Sequence, residues 1–120
     1  YDLVSILQDA RHAVSPEIED EIIAYVLATT GDDPAIFQTS YAILGLQRNL
    51  RILGIFARLC LRDGKAQYVD MIPRVWGYVQ RNLAHPDLAA LSVVLTPLLP
   101  EPTPSFLEHL KRQCPHKPIP

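Results

Sequence analysis

Apolar residues recur along this chain at spacings of three and four, and no alternating run survives over the length of a strand. That pattern predicts helices almost throughout. The first is expected over residues 2–13, with Asp2 as its N-cap and Leu3, Ile6, Leu7 and Ala10 as its inner face. Ser15-Pro16 reads as the N-cap and first position of a second helix, with Glu17 and Glu19 near the positive end of its dipole. Its predicted inner face is Ile18, Ile22, Tyr25 and Val26 with Ala28 or Thr29, and Gly31 ends it. Asp33-Pro34 repeats the start signal. The third helix runs from there to about Arg62, where Asp63-Gly64 stops it, and Gly45 and Gly54 could let it bend. A fourth spans roughly 65–84, with Tyr68, Ile72, Val75, Trp76, Val79 and Leu83 inward and Pro73 kinking or splitting it. His85-Pro86-Asp87 starts a fifth, carrying Leu88, Leu91, Val94, Leu95 and Leu98. The fold class is all-α: about five helices over residues 1–100, then a Pro-rich tail, 101–120, with room for one short helix, "SFLEHLKRQ".

One stretch of the third helix and its end, "QRNLRILGIFARLCLRDG", decides what kind of surface this chain offers. Wound at 100° per residue, its Arg48, Arg51, Arg58 and Arg62 fall on one narrow stripe. Leu50, Ile52, Leu53, Phe56, Ala57, Leu59, Cys60 and Leu61 cover more than half of the circumference. A helix that apolar is embedded in protein on most sides, so the arginines occupy the strip left for water or for an anionic partner. Asn49 is the odd residue, because it sits inside the apolar arc above Leu53 and Phe56. A buried amide without partners costs about 1–3 kcal/mol, so Asn49 is expected to bond to a neighbouring segment. Gly45, one turn earlier on the same side, would let that segment come close.

Composition narrows the function classes. With 120 residues, nearly half of them apolar, the chain can build one domain with a real core. A net charge of −2 argues against nucleic acid as a general partner. The charge is uneven, however: residues 41–85 hold seven Arg/Lys against two Asp, while acids gather in "PEIEDE" and "GDD". Cys60 and Cys114 are far apart in sequence and lack metal-ligand spacing. Cys60 reads as core, Cys114 belongs to the tail, and neither demands an oxidising compartment. The apolar run "IIAYVLA" is too short to span a bilayer, and no signal pattern opens the chain. The expected location is the cytoplasm, with no membrane partner. The chain lacks an initiating Met, which is expected of an excised part of a longer protein.

Motifs for self-sufficient catalysis fail one by one. "HPDLAALS" carries His85 and Asp87, but Ser92 stands where the catalytic loop of kinase-like phosphotransferases has Asn, and no Asp follows Asp87. A helix start is the better reading. There is no Gly-rich phosphate loop, no nucleophile elbow and no paired-His zinc motif. His12, His85, His109 and His116 are dispersed. Tyr25, Tyr41, Tyr68, Trp76 and Tyr78 lie on helical faces, where packing is favoured over base stacking.

Three phrases, "YDLVSILQDAR", "LGLQRNLRILGIFARL" and "IPRVWGYVQRNLAHPDL", together resemble the C-terminal part of the aminoglycoside phosphotransferase-like family over about residues 1–100. Within it the likeness is to bacterial amino-sugar kinases that phosphorylate N-acetylmuramate and N-acetylglucosamine at the anomeric position. The resemblance implies an ATP- and Mg²⁺-dependent kinase whose nucleotide lobe, catalytic loop and metal-binding Asp lie outside these residues. It also implies the partners: the catalytic parts of the same enzyme and a small sugar substrate. Asp2 resembles the aspartate that opens a helix under the catalytic loop and holds it, a role compatible with a plain N-cap. Arg48, Asn49 and Arg51 match the family's "QRNLR" phrase as candidate substrate or anion contacts. The expectations outside catalysis are a stand-alone helical interaction module and a small ligand-binding regulator using the Arg stripe. No 34- or 40-residue period supports a repeat protein.

Overall fold

The computed structural model describes residues 1–115, and among these it is all-α, with six α-helices and no strand. The helices are α1 (Asp2–Leu7), α2 (Pro16–Thr30), α3 (Pro34–Leu61), α4 (Ile72–Leu83), α5 (Ala89–Leu95) and α6 (Pro104–Gln113). Local chemistry sets most boundaries. The Ser15 hydroxyl accepts from the Ile18 amide, Asp33 accepts from Ala35 and Ile36, and Thr103 accepts from Phe106, each just before a Pro that opens the helix. Gly31 ends α2 with φ 73°, a left-handed conformation that side chains resist. The fourth predicted helix is split where Pro73 demands it: a 3₁₀ segment, Ala66–Met71, precedes α4. His85 caps a 3₁₀ turn at Pro86–Leu88 by accepting from the Asp87 amide, so "HPD" is a helix start.

Helix α3 is the central strut. Its partners α1, α4 and α6 pack along it, and the apolar interior falls into three clusters. Phe56, Cys60, Val69, Ile72 and Val75 fill one end, Leu46, Val79, Leu83 and Leu88 the second, and Val4, Leu7, Ile23 and Tyr41 the third. The body measures 55 × 31 × 20 Å, with a radius of gyration of 16.3 Å. A compact chain of this length would have roughly 14 Å. It is an elongated slab.

Six expectations are corrected. Helix α1 stops at Leu7, not residue 13, because Gln8 leaves helical geometry (φ −120°, ψ 49°) and turns its side chain into the interior. Asp2 is the first helical residue; Tyr1 flanks it, and no side chain caps α1. Ile6 faces solvent. Helix α2 is turned the other way: Ile18, Ile22 and Tyr25 are 50%, 37% and 73% exposed, whereas Glu19 and Ile23 are 4% and 2% exposed. The physical reason is that Glu19 finds partners inside, described below. Leu91, Val94 and Leu98 likewise face outward, and α5 buries no residue. The two cysteines do not stand apart: Cys60 and Cys114 form a disulfide pair with Cα atoms 5.0 Å apart, joining the end of α3 to the residue after α6.

Candidate functional site

The segment after α1, Gln8–His12, is built as a rigid presenting loop. The Gln8 side chain is fully buried and its amide is saturated. Its Nε2 donates to Glu19 Oε2 at 2.9 Å and to Asn82 Oδ1 at 3.1 Å. Its Oε1 accepts from Asn49 Nδ2 at 2.8 Å and from Asn82 Nδ2 at 2.9 Å. Glu19 in turn accepts from Arg81 at 2.7 Å and from the Tyr41 hydroxyl. So a buried carboxylate is paired with a guanidinium and held by neutral donors, the arrangement that makes such burial tolerable. Burial, and then the Glu19 carboxylate beside it, push the Tyr41 phenol well above its ordinary range.

The backbone of the loop is pinned as thoroughly as its first side chain. Tyr78 Oη donates to the carbonyls of Asp9 and His12 at 3.1 and 3.3 Å. Arg74 donates to the Ala10 carbonyl at 3.0 Å, and Arg48 reaches the Gln8 carbonyl at 3.5 Å. The Asp9 carboxylate accepts from the Arg11 amide at 2.8 Å and from both ends of the Arg11 guanidinium at 3.3 and 3.2 Å. Those side-chain hydrogen bonds hold the Asp9 pKa below the usual carboxylate value. Asp9, Arg11 and Arg48 then line one cavity of about 240 Å³, floored by Ile52, Phe56 and Tyr68. The geometry suits a small ligand that has both a polar, charged edge and an apolar face.

The residues singled out in the sequence divide clearly. Arg48 and Asn49 are brought to this loop, Arg48 to its cavity and Asn49 to its buried backing. Asn49 is wholly inaccessible and also donates to the Gly45 carbonyl at 2.8 Å. Its Oδ1 has no partner among the described residues. Gly45 is where the amides come closest: a Cβ there would lie 2.6 Å from Asn82 Nδ2 and 2.9 Å from Gln8 Oε1. Arg51 and Arg58 stay on the exposed side of α3, and Arg62 pairs with Asp63. Asp2 is exposed, and its carboxylate has no partner among the described residues. His12, His85 and His109 are separate, and His116 lies outside the described residues. Sequence reasoning missed Gln8, Asp9, Arg11, Glu19 and Asn82. Only Asn82 carried a signal, as a polar residue in the apolar phase of α4; Gln8, Asp9 and Arg11 follow α1 and Glu19 lies beside the predicted stripe of α2, so nothing local marked them.

Among the described residues no three His, Cys, Asp or Glu side chains stand together as metal ligands, and no helix is long and apolar enough to cross a membrane. No protein-family model matches the chain. Four curated proteins do, all named N-acetylmuramate/N-acetylglucosamine kinase. The protein from Caulobacter vibrioides is 47% identical over 92 residues, covering 76% of this chain and 25% of its own length. The one from Neisseria meningitidis serogroup B is 38% identical over 107 residues, covering 82% of this chain and 32% of its own. That from Pseudomonas aeruginosa is 44% identical over 57 residues, or 47% of this chain and 17% of its own. Over most of its length, then, this chain is similar to a quarter to a third of bacterial proteins named N-acetylmuramate/N-acetylglucosamine kinase.

Proposed function

We propose that these residues form the C-terminal helical part of an ATP-dependent amino-sugar kinase, where they support the catalytic loop and make one wall of the sugar site. The observation that carries the reading is the 38–47% identity to proteins named as such kinases over most of this chain. The elongated body and the outward apolar residues of α2 and α5 agree with a part that packs against more protein. ATP and Mg²⁺ would be held elsewhere in the enzyme: the sequence has no glycine-rich phosphate loop, and among the described residues no cluster of metal ligands stands together. In this reading the protein works in the cytoplasm, where ATP is supplied; thiols are held reduced there, so the Cys60–Cys114 bond would form on oxidation and the juxtaposed pair would otherwise stand as thiols.

Asp2 is the residue assigned to the catalytic loop in this reading. It stands in the first turn of α1, exposed and without a capping bond, so its acceptors are free for the backbone of a neighbouring segment. In the full-length enzyme, Asp2→Asn should lower turnover on the order of a hundredfold, since a small displacement of a catalytic base has that effect. The Michaelis constants and the melting temperature should barely move. Wild-type turnover in Asp2→Asn would refute the loop-supporting role, and phosphate transfer by the 120-residue chain alone would refute the division of labour.

A further inference from the structure

The cavity beside the pinned loop carries a charge imbalance. Arg48 is half-buried on α3, yet no carboxylate pairs with it among the described residues; its one side-chain hydrogen bond there is to the Gln8 carbonyl at 3.5 Å. Removing a guanidinium from water without a counter-ion is unfavourable, and its fork geometry matches a carboxylate. Across the same cavity stands Arg11. Asp9 engages its Nε and one terminal nitrogen and so fixes the plane of the group, leaving the other N–H donors for a ligand. Arg74 adds a third guanidinium against the loop, at the Ala10 carbonyl. Two of these guanidiniums, Arg11 and Arg48, line the cavity, and Asp9, already bonded to Arg11, is the one carboxylate in its lining. Phe56 and Tyr68, with ring centroids 5.5 Å apart, supply the apolar floor against which a sugar face can rest.

We infer that Arg11 and Arg48 form a carboxylate subsite, which recognises the acidic side chain of an acidic amino sugar and so sets substrate preference. The inference rests on the amino-sugar kinase reading and deepens it. The two sugars in the relatives' names make it testable, because N-acetylmuramate is N-acetylglucosamine with a lactyl ether on O3, and that ether carries the only carboxylate. Arg48 and Arg11 therefore act on one sugar and have nothing anionic to hold in the other. Asp9 is a positioning residue that orients Arg11.

The experiment uses the full-length protein carrying this chain, with Arg48→Gln, Arg11→Gln and, as a control on the exposed side of α3, Arg58→Gln. Both kcat/KM and equilibrium binding are measured for N-acetylmuramate and for N-acetylglucosamine. A charge-assisted hydrogen bond corresponds to roughly a ten- to hundredfold effect. Arg48→Gln and Arg11→Gln should each weaken N-acetylmuramate by about that factor and leave N-acetylglucosamine within about twofold, and Arg58→Gln should change neither. Parallel losses on both sugars, or no loss on either, overturn the subsite. If the wild type phosphorylates neither sugar, the kinase reading fails by itself and binding decides the subsite. Preference for the acidic sugar that Arg48→Gln abolishes would support it, and equal binding of the two sugars would overturn it.

Discussion

Replacing Gly45 by Ala tests the buried amide cluster at its tightest point. Alanine in mid-helix is ordinarily better than glycine by about 0.5–1 kcal/mol, because glycine gives up more freedom on folding. At Gly45 the added Cβ would meet Asn82 Nδ2 at 2.6 Å and Gln8 Oε1 at 2.9 Å, distances that real Cβ atoms do not adopt. These atoms are not flexible ends in open space. They are bonded to each other and to Asn49 and Glu19, in a region where Gln8 and Asn49 are fully buried. Moving them strains or breaks the Gln8–Asn82 pair, and each buried polar group left unpaired costs about 1–3 kcal/mol. One such loss at least offsets the helix gain, and two put the expected net destabilisation at about 1–5 kcal/mol. Gly54 on the same helix has nothing within 4 Å of its Cβ position, so Gly54→Ala should be neutral or stabilising by up to about 1 kcal/mol. Urea and thermal unfolding of the two variants therefore should give opposite signs. A Gly45→Ala protein as stable as Gly54→Ala would refute the close approach and, with it, the account of why glycine stands at this turn of α3.

Three further outcomes follow from the same contacts. Asn49→Leu removes a donor from Gln8 Oε1 and sets an apolar group against the amide pair, so stability should fall by about 1–3 kcal/mol; unchanged unfolding would show the amide to be dispensable. Tyr41 has a folded-state pKa raised above the ordinary phenol value of 10.0, so its contribution is complete below that pH and is lost as pH rises beyond it, when only the unfolded chain ionises. Tyr41→Phe should therefore weaken the fold near neutrality yet flatten the loss of stability above pH 10.0; an alkaline limb identical to wild type would contradict the burial of this hydroxyl. The Cys60–Cys114 bond closes a separation of 54 residues, for which chain entropy suggests about 4 kcal/mol. Reductant should lower the melting temperature, and two alkylatable thiols in the oxidised protein would refute the bond.

The parts of this fold that the sequence determined alone are those whose physics is local. Ser15, Asp33, His85 and Thr103 cap the turns they precede because their partners are two or three residues away. Pro73 divides the fourth helix by its own missing N–H. Asn49 and Gly45 were legible as a close approach because one helix phase places both in the apolar arc of α3. What came close was not legible: Gln8 and Asn82 lie 74 residues apart, and no spacing rule joins them.

The orientation of α2 shows why tertiary structure had the deciding role. Ile23 and Leu27 make an apolar stripe of their own, so hydrophobicity alone does not decide between it and the stripe of Ile18, Ile22 and Tyr25. The latter faces outward because Glu19, on the neighbouring arc, meets Arg81, Tyr41 and Gln8 from three other parts of the chain. A carboxylate buried at 4% exposure is tolerable only when all of those partners are assembled together, and their assembly depends on how α1, α3 and α4 pack. The loop that presents Asp9 and Arg11 is decided in the same way. Its carbonyls are held by Arg48, Arg74 and Tyr78, residues 40 to 69 positions away, so its shape exists only once those helices have come together.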